Sequence, residues 1–226
     1  MSEKRNKIKV KNLILSTLTT LSLVRIVGKR MNNRVHEAGI NESMYIDVNG
    51  TKQWIHIYGK DKGNPVLLYL HGGPGASTSH IDYAFTRKWA DVYTVVTWDQ
   101  RNCGKSYDAK HNIPLTKELL LQDGKEVTEF ILKYLSKEKI TILGHSWGSM
   151  YGANLVLAYP EYYECFIGVG QLVDSLENEK AFKEEALLWA KGDEDALALV
   201  NTLTPDHMTM EHITARNTIM QKYGYD

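Results

Sequence analysis

Lys139–Ser149 reads KITILGHSWGS, a short apolar run, Lys139 to Leu143, that feeds into a serine flanked by glycines in the pattern G-x-S-x-G, Gly144 to Gly148. A strand ending in this way is the signature of a nucleophile elbow. The serine sits at a strained corner between strand and helix, and the flanking glycines let the backbone fold tightly without Cβ clashes. Ser146 is therefore expected to project its hydroxyl into a cleft. The same pentapeptide also arises by chance in a chain with 17 glycines, so its neighbours have to supply the context.

Working outward, the pattern is strand, helix, strand, helix, strand. Met44 to Val48 and Gln53 to Tyr58 are β-rich runs separated by Asn49-Gly50, a hairpin turn signal. Pro65 to Leu70 and Val92 to Trp98 are continuous apolar runs, as expected for strands of a parallel sheet covered on both faces. Helices are expected over Ser79 to Trp89, Thr116 to Leu135 and Ser149 to Tyr159, the last stopped by Pro160, before another apolar run from Phe166 to Val169. Alternation of this kind gives an α/β fold with a mostly parallel sheet flanked by helices. Beyond Gln171 only helical periods appear, over Leu176 to Lys191, Asp193 to Leu203 and Met210 to Tyr223. The expected organisation is a basic segment at 1–34, an α/β core at 35–171 and a helical cap region at 172–226.

The 226 residues suffice for one domain with a substantial core and an appended piece. Net charge is zero but unevenly spread: residues 1–34 carry nine Lys or Arg against Glu3 alone, leaving an acidic body. Such a body argues against nucleic acid as the main partner, because phosphate binding needs a concentrated cationic face. Lys4, Arg5, Lys7, Lys9 and Lys11 precede an uncharged stretch from Asn12 to Val24, in the order of an export signal. That stretch is 13 residues long, against roughly 20 for a spanning helix, and five Ser or Thr dilute it. Residues 4–30 are expected either to associate with a membrane as an anchor or uncleaved signal, or to be a basic surface helix or disordered tail, and the location, membrane-associated or cytoplasmic, stays open. Cys103 and Cys165 have neither disulfide-framework nor zinc spacing, and Cys165, in an apolar run, is expected to be buried. Neither a metal nor a cofactor is expected.

A second signal is His71-Gly72-Gly73-Pro74-Gly75, directly after the apolar run ending at Leu70. Its glycines leave backbone N–H groups unshielded, as an oxyanion hole requires. It is not G-x-G-x-x-G, and Gly104-Lys105-Ser106 has Asp99 where a Walker-type loop needs glycine, so phosphate cradling is not supported. Taken in order, HGGPG at 71–75, WDQRNCGKS at 98–106 and GHSWGS at 144–149 resemble the α/β-hydrolase superfamily, especially the proline iminopeptidase-like serine hydrolases (serine aminopeptidases). That resemblance implies Ser146 as nucleophile, the backbone amides of Gly73 and Trp147 as the oxyanion hole, and a small-molecule or peptide substrate. Asn102 departs from the family's glycine; asparagine tolerates positive φ, so the turn can survive. Asp99 and Arg101 read as structural parts of that turn, the Trp147 indole as packing or pocket wall, and His145 as structural.

In this superfamily the order is serine, acid, histidine. Asp174, after the run ending at Val169, is a candidate acid; its alternative is the N-cap of the helix beginning near Leu176. His207 and His212 are the histidines downstream of the elbow, both in helical sequence, and neither is assigned as base. The chain is accordingly expected to be the N-terminal part of a longer hydrolase, with the last strands missing. Glu177, Glu179, Glu184 and Glu185 are candidates to hold a substrate ammonium group, or else a solvated helix face. Two readings result: a serine hydrolase acting on an ester or amide, and a catalytically inactive fragment or membrane-associated binding module.

Overall fold

Asn49 and Gly50 lie at φ 44° and 77°, the left-handed geometry that a two-residue hairpin turn demands. They fold β1 (Ile40–Val48) back onto β2 (Thr51–Gly59), with Val48 opposite Thr51. The structure is a computed structural model that describes residues 17–28, 30, 31, 35, 37–110, 113–207 and 209–224. Within it the chain forms two compact units, Met1–Gln171 and Leu172–Asp226.

The first unit holds a six-stranded sheet in the order β1-β2-β4-β3-β5-β6, where β3 is Val66–Leu70, β4 Thr94–Asp99, β5 Ile140–His145 and β6 Tyr163–Val169. β2 is antiparallel to β1 and β4, whereas β4, β3, β5 and β6 run parallel. The connecting helices are α2 (Tyr83–Trp89), α3 (Lys117–Leu135) and α4 (Trp147–Ala158), and residues 17–28 form a further helix, α1. Every residue of β4 is buried, so both faces of the sheet are covered there. Ile57, Leu68, Val96, Ile131, Ile142 and Leu155 belong to the resulting core. After β3 the chain steps to one side as β4, then returns to the other side as β5. The order therefore reverses between β3 and β5, and in open α/β sheets ligands bind outside the carboxyl ends of strands at such a reversal.

Two local expectations are corrected. Cys165 is exposed, and Cys103 is the buried cysteine. In this structure β6 pairs on one side only, with β5, so an apolar strand there is left half open; Val169 is 44% exposed. α4 begins at Trp147, two residues before the expected Ser149, because the chain enters the helix directly from Ser146. Among the described residues no helix is long and apolar enough to cross a membrane. The basic cluster from Lys4 to Lys11 lies outside the described residues.

The second unit contains α5 (Ser175–Trp189), α6 (Glu194–Asn201) and α7 (Met210–Tyr223), capped by Asp174, Asp193 and Thr209, whose side chains accept backbone N–H groups of the first turn. Its small core includes Ala186, Ala190, Val200, Leu203 and Ile219.

Candidate active site

Ser146 occupies the corner between β5 and α4 at φ 53°, ψ −120°, a backbone conformation that side-chain-bearing residues rarely adopt and that surrounding contacts must hold. Its N–H donates to the Val169 carbonyl at 2.8 Å, tying the corner to β6, and its carbonyl accepts from the Ser149 amide at 2.9 Å and hydroxyl at 2.6 Å. A Cβ at Gly144 would collide with the Gly148 carbonyl, and one at Gly148 with the Leu70 carbonyl at the end of β3. Glycine is thus required at both positions for β3, β5 and α4 to meet. Trp147 is the first residue of α4, so its N–H has no carbonyl one turn back and points out of the positive end of the helix dipole.

The loop after β3 comes to the same place. A Cβ built on Gly72 would stand 3.3 Å from the Ser146 Cβ, and Gly73 takes φ 121°, open to glycine. The backbone at Gly72 thereby passes close to Ser146, with the His145 ring 3.2 Å from the same point. Three buried or half-buried groups hold this loop. His71 donates from Nδ1 to the Gly72 carbonyl at 2.8 Å, while its Nε2 accepts the Gln100 N–H at 3.2 Å. The Gln100 side chain spans from the His71 carbonyl, 3.4 Å from Nε2, to the Trp147 indole N–H, which donates to Oε1 at 3.4 Å. Gln100 was not singled out from the sequence, although it lies inside the WDQRNCGKS block; the signal was its place between Asp99 and Arg101 at a strand end.

Burial pushes the His71 imidazole below its ordinary value of 6.5, against smaller opposing effects of the Gly72 hydrogen bond and Asp99. His71 is neutral in the fold, consistent with one donating and one accepting nitrogen. The unfolded chain binds that proton near the ordinary value, the folded chain only at lower pH. Between the two the unfolded state holds more protons, so stability is lost as pH falls through this window. Urea midpoints are expected to drop as pH falls below the ordinary value of about 6.5, and the slope is expected to be shallower in His71→Gln.

Asp99 is buried and structural: its carboxylate accepts the Ser79 and Lys105 amides at 3.3 and 2.8 Å, and its carbonyl accepts the Ser106 hydroxyl. Asn102 takes φ 59°, the positive value that glycine would otherwise supply. Arg101 forms a bidentate pair with Asp123, Nε to Oδ2 at 2.6 Å and Nη2 to Oδ1 at 2.7 Å, with both side chains buried. The Trp147 indole lines a cavity of about 290 Å³ with Leu115, Leu120, Leu121, Met150 and Tyr151, an apolar space between the N-terminal turns of α3 and α4.

The structure therefore brings Gly72 to the Ser146–Trp147 corner at the strand-order reversal, with Gly73 the next residue along the loop. Among the described residues of the α/β unit no histidine or carboxylate hydrogen-bonds the Ser146 hydroxyl, and among the described residues no group of three or more His, Cys, Asp or Glu could hold a metal. His145 is exposed. Asp174 is an exposed N-cap of α5, accepting the Glu177 amide at 3.0 Å. In the helical unit His212 is buried, donating from Nε2 to Glu179 at 3.0 Å and accepting the Thr204 amide on Nδ1 at 3.1 Å. Glu179 also accepts from Arg216 at 3.1 Å, so it is an internal partner of its own unit and not one of a solvated face. Glu177, Glu184 and Glu185 remain exposed.

Comparison with known proteins agrees with this geometry. A family model described as the alpha/beta hydrolase fold matches residues 65–208. A probable aminopeptidase of Bacillus subtilis is 35% identical over 137 residues, 59% of this chain and 42% of that protein. A proline iminopeptidase of Clostridioides difficile is 26% identical over 181 residues, 79% of this chain and 60% of its own length. This chain thus spans roughly half the length of these relatives. The crystal structure of a proline iminopeptidase-related protein from Thermus thermophilus superposes with a TM-score of 0.53 at 20% identity, covering 81% of this chain and 66% of that one; the likeness is one of fold.

Proposed function

The chain belongs to the α/β-hydrolase fold family, and on that premise we propose that it is a serine hydrolase that cleaves an ester or amide of a small molecule or short peptide through an acyl-enzyme on Ser146. The observation that carries this reading is the meeting of the Ser146 corner with the Gly72-Gly73 backbone at the reversal between β3 and β5. In the reaction the Ser146 Oγ bonds to the substrate carbonyl carbon and its proton passes to a base. The tetrahedral oxyanion is held by the Gly73 and Trp147 N–H groups, and the alcohol or amine leaves with a proton. Water then cleaves the acyl-enzyme by the same sequence. Loss of one oxyanion donor typically costs about 3 kcal/mol of barrier.

The names of the relatives in Bacillus subtilis and Clostridioides difficile favour an N-terminal aminoacyl group as the acyl part. Release of 4-nitroaniline from aminoacyl anilides, with proline among them, and of 4-nitrophenol from short acyl esters tests both levels. Ester turnover is expected in either case, and anilide turnover if the chain is an aminopeptidase. The second reading is a catalytically inactive fragment or binding module that keeps the pocket. A folded protein that forms no acyl-enzyme from any activated ester would establish it.

A further inference from the structure

We propose that helix α1 lies in the plane of an anionic lipid surface, its apolar side in the acyl boundary, and Arg25 and the basic residues that flank the helix in sequence at the headgroups. From Leu18 to Met31 every large apolar side chain is about half exposed or more, from 48% at Ile26 to 62% at Leu21. At 100° per residue Leu21, Leu23, Val24 and Val27 of α1 fall within an arc of about 160° that also holds Thr20, with Thr19, Ser22 and Arg25 on the other side. Leu18 and Ile26 fall outside that arc. Exposed apolar residues on one side of a short helix are a docking surface, since monomeric proteins rarely leave such a patch open.

Charge selects the occupant. Residues 4–34 carry nine Lys or Arg and no acid, whereas the rest of the chain is acidic overall. An anionic bilayer offers both complements at once, an apolar boundary and a negative surface, and each basic residue near it adds to the attraction. Nucleic acid would use the charge but leave the apolar arc in water. A helix of 12 residues is about 18 Å long, short of the roughly 30 Å hydrocarbon core, so it lies on the membrane and does not cross it. It is tied to the α/β unit near its C-terminal end, where a Cβ at Gly28 would run into the Tyr83 ring; Leu21, Leu23 and Val24 remain exposed.

Co-sedimentation of the full chain with phosphatidylcholine vesicles, with and without about one third phosphatidylglycerol, tests this. Binding to the anionic vesicles alone is expected, weakened by about 0.5 M salt. Arg25→Gln with Arg30→Gln is expected to weaken partition roughly 25-fold, and Leu21→Asp with Val24→Asp to abolish it. Far-UV circular dichroism checks the fold, and the charge pair leaves the apolar arc intact, so a misfolded Asp variant does not decide the matter. Equal binding to neutral and anionic vesicles, no binding, or indifference to both pairs overturns the proposal. So does self-association that the Asp pair relieves in the absence of any lipid binding.

Discussion

Arg101→Ala is expected to lower the unfolding free energy by about 3–5 kcal/mol, read as a shift of the urea midpoint with little change in slope. The magnitude follows from what the substitution leaves behind. Asp123 is fully buried in α3, and its carboxylate is held by both arms of the Arg101 fork and by the Gln53 amide at 3.0 Å. Without the guanidinium a carboxylate stays in the core with one neutral donor, and burying an unpaired charge is among the most destabilising single changes. Arg101 also donates to the Asn49 carbonyl at 3.1 Å, so the hairpin turn loses a partner as well. The loss belongs to the broken pair rather than to the attraction itself. Arg101→Met with Asp123→Leu is therefore expected to recover most of the stability, because an apolar pair of similar volume avoids the desolvation cost. A double variant as unstable as Arg101→Ala would contradict that account.

Gly148→Ala is the second large effect. Its Cβ would be driven into the Leu70 carbonyl and close to that of His71, backbone atoms fixed in β3 and its following loop. Relief requires α4 to back away from the sheet. Overpacking of this kind is expected to cost about 3 kcal/mol, seen as a lower melting temperature. The same shift would move the Trp147 N–H relative to the Gly72-Gly73 loop, so on the proposed mechanism reaction of Ser146 with a fluorophosphonate is expected to slow even in the fraction that remains folded. Gly50→Ala is the contrast: nothing stands within 4 Å of its Cβ, so only the positive φ of 77° penalises it.

The strands and helices were legible because each is written in local periodicity: the buried runs of β3, β4 and β5, the Asn49-Gly50 turn, and the capped helices α3 and α7. What joins them was not. The Gln53–Asp123–Arg101 cluster unites residues 22 to 70 positions apart, and no local pattern announces it. Exposure of Cys165 depends on which strands lie beside β6, a property of the sheet and not of the run Phe166 to Val169. Glu179 looked like one more acid on a charged helix, yet it pairs with His212 and Arg216 on α7, more than 30 residues away. Trp147 and Gly148 read as turn in the sequence, yet they are the first residues of α4. The elbow itself was legible from G-x-S-x-G, since the glycine spacing states the steric requirement directly.

The central proposal is that the Ser146 hydroxyl is the nucleophile of a site whose oxyanion donors are backbone groups. Mass spectrometry of the protein after prolonged exposure to a fluorophosphonate tests it most directly. One phosphonyl adduct is expected, mapped to the peptide carrying Ser146 and absent in Ser146→Ala. An adduct on another residue, or equal labelling of Ser146→Ala, would contradict it.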